Sequence, residues 1–325
     1  MKTLRIISLI LMSLMAMVLI GTLVFALTGN LSELSFVNDF RFSIGGKHEL
    51  ISDESIDSDG ISLIDMDLSS ADVELFLSDD SQFHVVYYGP TEEKSDPDIT
   101  AHTDTDSLII KQRNRVVPFR LNTNRLVKVY VPSDFSGSFE LRCASGDLRI
   151  KDDLQFELFL YKVASGDLYA ENLHTEETEI NTTSGDISVA KLETDEYVLK
   201  TSSGDIRIEN IRGSGSISVI SGDVRIDEYS GSGSISASSG RISVQTTEIT
   251  GDLDIKVVSG DVEVCFAEDQ ALILDASVTS GDIDTRLSLD NAKMAKRSLS
   301  GTIGDSPMHK LTIRTTSGDI RIDCK

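Results

Sequence analysis

The residues best placed to do chemistry in this 325-residue chain are aspartates that share one setting: Asp147, Asp167, Asp186, Asp205, Asp223, Asp261, Asp282 and Asp319 each follow Ser-Gly. If a regular fold sets them in one column, like charges about 5 Å apart repel by roughly 0.8 kcal/mol per pair even at a water-like dielectric. A bound cation would relieve that, and Asp186, Asp205 and Asp223 are the central candidates for such a calcium ladder. Calcium asks for about six to eight oxygen ligands, however, and the nonapeptide of glycines and acids that supplies them in calcium-binding solenoids is absent. The reading adopted is structural. Asp accepts bonds from backbone N–H groups at turns and Gly takes up positive φ without a Cβ penalty. Ser184, Gly185 and Asp186, Ser203, Gly204 and Asp205, and Ser221, Gly222 and Asp223 are then corners, with no metal and no cofactor.

Other chemistries find fewer residues. His48, His84, His102, His174 and His309 are scattered and form no metal-ligand spacing. Cys143, Cys265 and Cys324 are too far apart for a disulfide framework or a zinc set, and Cys143 is expected to face a core. No Gly-x-Ser-x-Gly elbow with partners is present. Acid pairs such as Asp282 and Asp284 would suit a polysaccharide-acting enzyme, but such sites are rich in aromatic residues, and this chain has no Trp and only 6% aromatic residues. The expectation is a protein that is not an enzyme.

The elements that position the aspartates follow from their spacing. The Ser of each marker falls at Ser145, Ser165, Ser184, Ser203, Ser221, Ser239, Ser259, Ser280, Ser300 and Ser317, a period near 19, with Arg241 and Thr302 replacing the Asp in two copies. Residues three and five after the Ser are aliphatic in most copies, as in Ile206 and Ile208. Residues two and four before it are often apolar, as in Val219 and Ile217. Both runs have the period of two of a half-buried strand. Their phases differ, so the chain must bend across the marker, with the Ser closing one inward row. Leu173, Leu192, Ile211 and Tyr229, eight residues after the Ser, mark a second corner. One such unit cannot bury its own apolar face and gains a core by stacking. The predicted fold is therefore all-β: a parallel β-solenoid, or single-stranded β-helix, over residues 143–325, roughly 45 Å long at about 4.8 Å per coil. Residues 61–142 are expected to form an N-terminal β cap, with Ser70-Ala71-Asp72 as a degenerate first corner.

Residues 6–27 are apolar and uncharged after Lys2 and Arg5. At about 1.5 Å per residue they reach across a bilayer core of about 30 Å. They read as one transmembrane helix, an uncleaved anchor, with a signal peptide as the rival reading. Residues 1–5 then form a cytoplasmic stub, 28–60 a juxtamembrane spacer, and the remainder lies outside the cytoplasm by the positive-inside tendency. The net charge of −23 excludes nucleic acid as a partner. Within this acidic chain, residues 289–302 carry Lys293, Lys296 and Arg297, a docking patch for an acidic partner or anionic headgroup, or else a plain corner loop or short helix. Arginines four residues after the marker, such as Arg207, are expected to reach acids of the next coil, such as Asp227.

The strings DVELFLSDD and VKVYVPSDF and the serial SGDI and SGDV copies resemble the bacterial β-strand-repeat family labelled "putative adhesin". The resemblance spans roughly residues 60–325 and implies a membrane-anchored envelope protein with no assigned chemistry. The function expected is thus a non-catalytic, single-pass envelope protein whose rigid acidic solenoid meets another envelope protein or a wall polymer. The alternative is a bactofilin-like scaffold that self-associates through solenoid ends.

Overall fold

The structure, a computed structural model, describes residues 49–113, 125–267 and 270–324. The expected anchor and His48 lie outside the described residues, and among the described residues no helix is long and apolar enough to cross a membrane. Eight strands build the first part: β1 (Glu49–Asp57), β2 (Leu63–Ser70), β3 (Asp72–Leu77), β4 (Gln82–Gly89), β5 (Ile99–Asp104), β6 (Ser107–Gln112), β7 (Leu126–Val131) and β8 (Ser138–Ser145). Six long strands follow: β9 (Leu148–Ser165), β10 (Leu168–Ser184), β11 (Ile187–Ser203), β12 (Ile206–Ser221), β13 (Val224–Ser239) and β14 (Ile242–Ser259). Each begins just after one Ser-Gly-Asp/Arg corner and ends on the Ser of the next, so one coil is one strand bent in its middle. The coils are parallel and in register, with Leu148, Leu168, Ile187, Ile206, Val224 and Ile242 in one row. All six are buried.

The bend across the corner is visible in burial. Thr201 and Ile206 both face the core, while Ser203 and Asp205 between them are exposed. The Ser therefore does not close the inward row as the alternation predicted: the chain starts to turn one residue earlier, and the residue two before the Ser is the last to point in. That inner position holds Cys143, Val163, Thr182, Thr201, Val219, Ala237 and Val257, all buried. Leu173, Leu192, Ile211 and Tyr229 line the second corner and are fully buried.

Residues 63–77 are the first coil, because β2 pairs in parallel with β8 and β3 with β9. β6 and β7 lie outside them in parallel as a further layer. Antiparallel strands then cover this end: β5 on β6, β4 on β7, and β1 on β4.

Beyond β14 the stacking departs from chain order. The remaining strands are β15 (Val262–Phe266), β16 (Leu272–Ser280), β17 (Ile283–Thr285), β18 (Asp290–Ala295), β19 (Ser298–Ile303), β20 (His309–Ser317) and β21 (Ile320–Cys324). The last coil, β20 and β21, does not sit at the end of the stack. It fills a slot, with β14 and β15 on one side and β16 and β17 on the other, parallel to both. Its Leu311, Ile313, Ile320 and Ile322 are fully buried. The end of the stack is instead covered by β19, antiparallel to β16, which forms a hairpin with β18. Ser300-Gly301-Thr302 lies in β19 and is not a corner. Ser70-Ala71-Asp72 is one, so ten corners still share the column. The stretch read as a corner loop or short helix is this hairpin.

Candidate interaction face along the corner column

At each corner the backbone is bonded to the next coil. Gly204 N–H donates to the Ser221 carbonyl at 3.1 Å and Ile206 N–H to the Asp223 carbonyl at 2.9 Å. The amide between them is served by the carboxylate of the preceding coil. Asp205 N–H donates to Asp186 Oδ1 and Asp223 N–H to Asp205 Oδ1, each at 2.8 Å. The same bond runs from Asp72 at the first corner, through Asp147 and Asp167, to Asp186, and from Asp261 through Asp319 to Asp282. Asp186, Asp205 and Asp223 thus each spend one oxygen on a backbone N–H. Among the described residues no group of three or more His, Cys, Asp or Glu side chains could hold a metal ion.

The glycine of the corner is fixed by the same stacking. Gly204 has φ +147°, and a Cβ there would lie 2.1 Å from the Gly185 carbonyl oxygen. The clash is with the coil before, and Ala71 stands at the first corner, where no such corner precedes it.

Beside the Asp column runs a shallow groove of about 420 Å³, whose lining includes Tyr169, Arg207, Arg225 and Arg241. In the row four residues after each Ser, Arg207 and Arg225 are direct neighbours on adjacent coils. Arg207 does not reach Asp227. That carboxylate is held by Arg225 of its own coil at 2.8 Å. Arg149 pairs with Asp147 at 2.9 Å, again within one coil. A second, wider groove of about 880 Å³ follows the other corner and is acidic. There His174 bridges Asp153 and Glu193 on the coils either side at 3.0 and 2.9 Å. Lys293 lies on β18, and Lys296 and Arg297 are the turn into β19; all three are exposed.

A buried ionic cluster in the cap was not visible in the sequence. The Arg125 guanidinium bonds Glu93 and Asp98, each at 2.7 Å, and the Tyr87 hydroxyl at 3.2 Å. Tyr87 in turn donates to Glu93. Burial, reinforced by Glu93, pushes the Tyr87 pKa up. Burial, the largest single influence, would lower that of Arg125, but the hydrogen bond to Glu93 together with the charges of Glu93, Tyr87 and Asp98 outweighs it and the guanidinium is held charged. The string PTEEKSDPD reads as a solvated loop; only the arrival of Arg125 from β7's start turns Glu93 inward. This cluster ties the loop to the cap.

Comparison with known proteins places these features. A family model described as Toastrack DUF4097 matches residues 61–226 and again 216–323. No curated protein matches the chain. Among solved structures, a putative adhesin from Parabacteroides distasonis is 14% identical over 85% of this chain and 98% of its own, with a TM-score of 0.52. A putative adhesin from Bacteroides fragilis is 14% identical over 84% and 97%, TM-score 0.47. A putative lipid binding protein from P. distasonis is 15% identical over 83% and 96%, TM-score 0.47. At such identities the likeness is one of fold.

Proposed function

This chain belongs to the Toastrack DUF4097 family, and from that premise we propose that it is a non-catalytic, membrane-anchored envelope protein. Its stack stands outside the cytoplasm as an acidic surface for another envelope protein or a wall polymer. The observation that carries this reading is the division of labour across the strands. Apolar columns fill the interior from Ile64 to Ile322, corner backbone groups bond from coil to coil, and the outward rows hold Arg, Ser, Asp and Glu over shallow grooves. Such a body offers length and repeated side chains rather than an enclosed reaction chamber of the kind small-molecule sites favour. The apolar segment 6–27 supports the anchor and, with Lys2 and Arg5, the orientation. Among the described residues antiparallel strands lie over β16 at one end of the stack and over β6 at the other, which leaves little bare parallel edge for end-to-end assembly.

A reporter fused after Lys325 tests the topology: activity outside the cytoplasm is expected, and activity only inside it would overturn the exported reading. Crosslinking in intact cells tests the interaction. Recovery of a specific envelope protein or wall polymer is expected, and a chain that crosslinks to neither sinks the proposal.

A further inference from the structure

The last coil of the chain is held on every side except by its own connection. β20 and β21 bond β14 and β15 on one edge and β16 and β17 on the other, and the loop that delivers them, residues 304–308, takes no part in this pairing. That loop follows an awkward path. β19 and β20 flank β16 on opposite edges, with Ile303 and His309 both level with Leu272. Five residues must therefore pass around the start of β16, across two strand spacings of about 4.8 Å each. Gly304 is pressed so close that a Cβ on it would stand 2.9 Å from that of Ala271. Two residues on, Ser306 sits at φ 53°, where a non-glycine residue is strained. It does so directly before Pro307, a residue that pushes its predecessor toward extended backbone. Met308, which follows, is 82% exposed.

We propose that β20 and β21 exchange between two copies of this chain, each coil filling the slot of the other copy. The slot selects a coil by main-chain pairing and by four inward apolar side chains, Leu311, Ile313, Ile320 and Ile322. A coil offers that set whichever chain carries it, so occupancy within a chain and between chains differs chiefly at the loop. Extended, residues 304–308 reach about 17 Å, and Ser306 then returns to the backbone region that Pro307 favours. Strain confined to a short hinge is the condition under which identical elements swap. In a two-fold exchange the two hinges run past each other, so each Met308 meets an apolar neighbour instead of solvent. The net charge of −23 on each copy opposes the approach, and salt screens that repulsion. The exchange stands apart from the proposed envelope role and needs neither a wall polymer nor another protein.

The test uses two full-length variants with different tags, co-expressed and extracted in a mild detergent at about 0.15 M salt, where the screening length is about 8 Å. One carries Lys256→Cys on β14 and the other Arg314→Cys on β20, exposed positions that are direct partners across the slot. A short thiol–thiol cross-linker is expected to join one variant to the other, a product that closed chains do not give. The parent, with Cys143, Cys265 and Cys324, is the blank. Adding Ser306→Gly to both variants removes the penalty at positive φ. The mixed product should then fall about tenfold, the worth of one such residue, with melting no lower than the parent. Deleting residues 304–306 leaves two residues to pass Ala271, too few within one chain, and should make a dimer predominant on size-exclusion chromatography. No mixed product above the blank, an unchanged yield with Ser306→Gly, or a shortened chain that stays monomeric and melts like the parent would each overturn the exchange. Should the shortened chain aggregate, the cross-linking decides alone.

Discussion

At the scale of single residues, the corner distinguishes what is obligatory from what is helpful. The Gly204 Cα faces the Gly185 carbonyl at a φ that side chains rarely adopt. Gly204→Ala is therefore expected to cost at least about 2 kcal/mol from strain and overpacking. Asp205→Ala removes one acceptor from the exposed Asp223 N–H and also lifts a repulsion, so its cost is about 1 kcal/mol or less. Urea unfolding of the two variants checks the order, and equal effects would contradict the assignment of the glycine as the steric element. The buried tyrosines give a pH signature. Burial raises the pKa of Tyr197 and Tyr229, whose hydroxyls lie 3.3 Å apart, and that of Tyr229 is pushed up to about 12. A folded-state pKa above the unfolded one means stability that is whole below about pH 10. It is lost as the pH climbs through 10 toward the folded value. Alkaline unfolding should coincide with tyrosinate absorbance, and Tyr229→Phe should move the midpoint to higher pH.

At the scale of elements, the inserted coil is the point of greatest leverage. Ile313 packs in a strand bonded on both edges, and Ile313→Ala is expected to cost about 2–5 kcal/mol. Deleting residues 309–325 should do more, leaving β14 and β16 with facing bare edges and a chain that aggregates on size-exclusion chromatography; a monomer melting like the parent would refute the arrangement. The period of 19, the two strand phases and the first corner at Ala71 were all legible, because each is written in alternation along a few residues. The stacking order was not. The string TTSGDIRID obeys every rule of a corner wherever it is placed, and what decides its slot is pairing with Leu253 to Ser259 and Leu272 to Ser280, far along the chain. Ser300-Gly301-Thr302 imitated a marker, although the residues before it, Lys296 and Ser298, lacked the inward apolar pair. The candidate site was half legible in the same way. Arg241 stood out as a missing Asp, but its company with Arg207 and Arg225 depends on a register that only the folded stack displays. The cluster of Arg125, Glu93 and Asp98 was hidden because charge in a loop-like string reads as solvation.

At the scale of the whole molecule, charge is the term that no local contact offsets. Most ion pairs here join half-exposed side chains, as at Arg225 and Asp227 or Lys310 and Asp275, and contribute about 0–1 kcal/mol each. With a net charge of −23, self-repulsion opposes the compact state. Raising salt from about 0.01 to 0.15 M shortens the screening length from about 30 to about 8 Å. The melting temperature should rise over that range, as differential scanning fluorimetry would record. A fall would mean that paired charges, not excess ones, dominate the electrostatics.

The slot filled by β20 and β21 also sets a condition on how the chain can mature. From Leu148 to Phe266 each coil finds its template in the coil just made, so the stack can lengthen as synthesis proceeds. That progress halts at β15, because the layer meant to lie on it is encoded 58 residues later, beyond the strands that will cover it. Until Ile320 and Ile322 arrive, the growing stack ends in an open seam of unpaired amides and carbonyls. The seam closes only when the hairpin and the returning strand are both present, so a shortened product is marked by an adhesive edge that proteases and holdases can read.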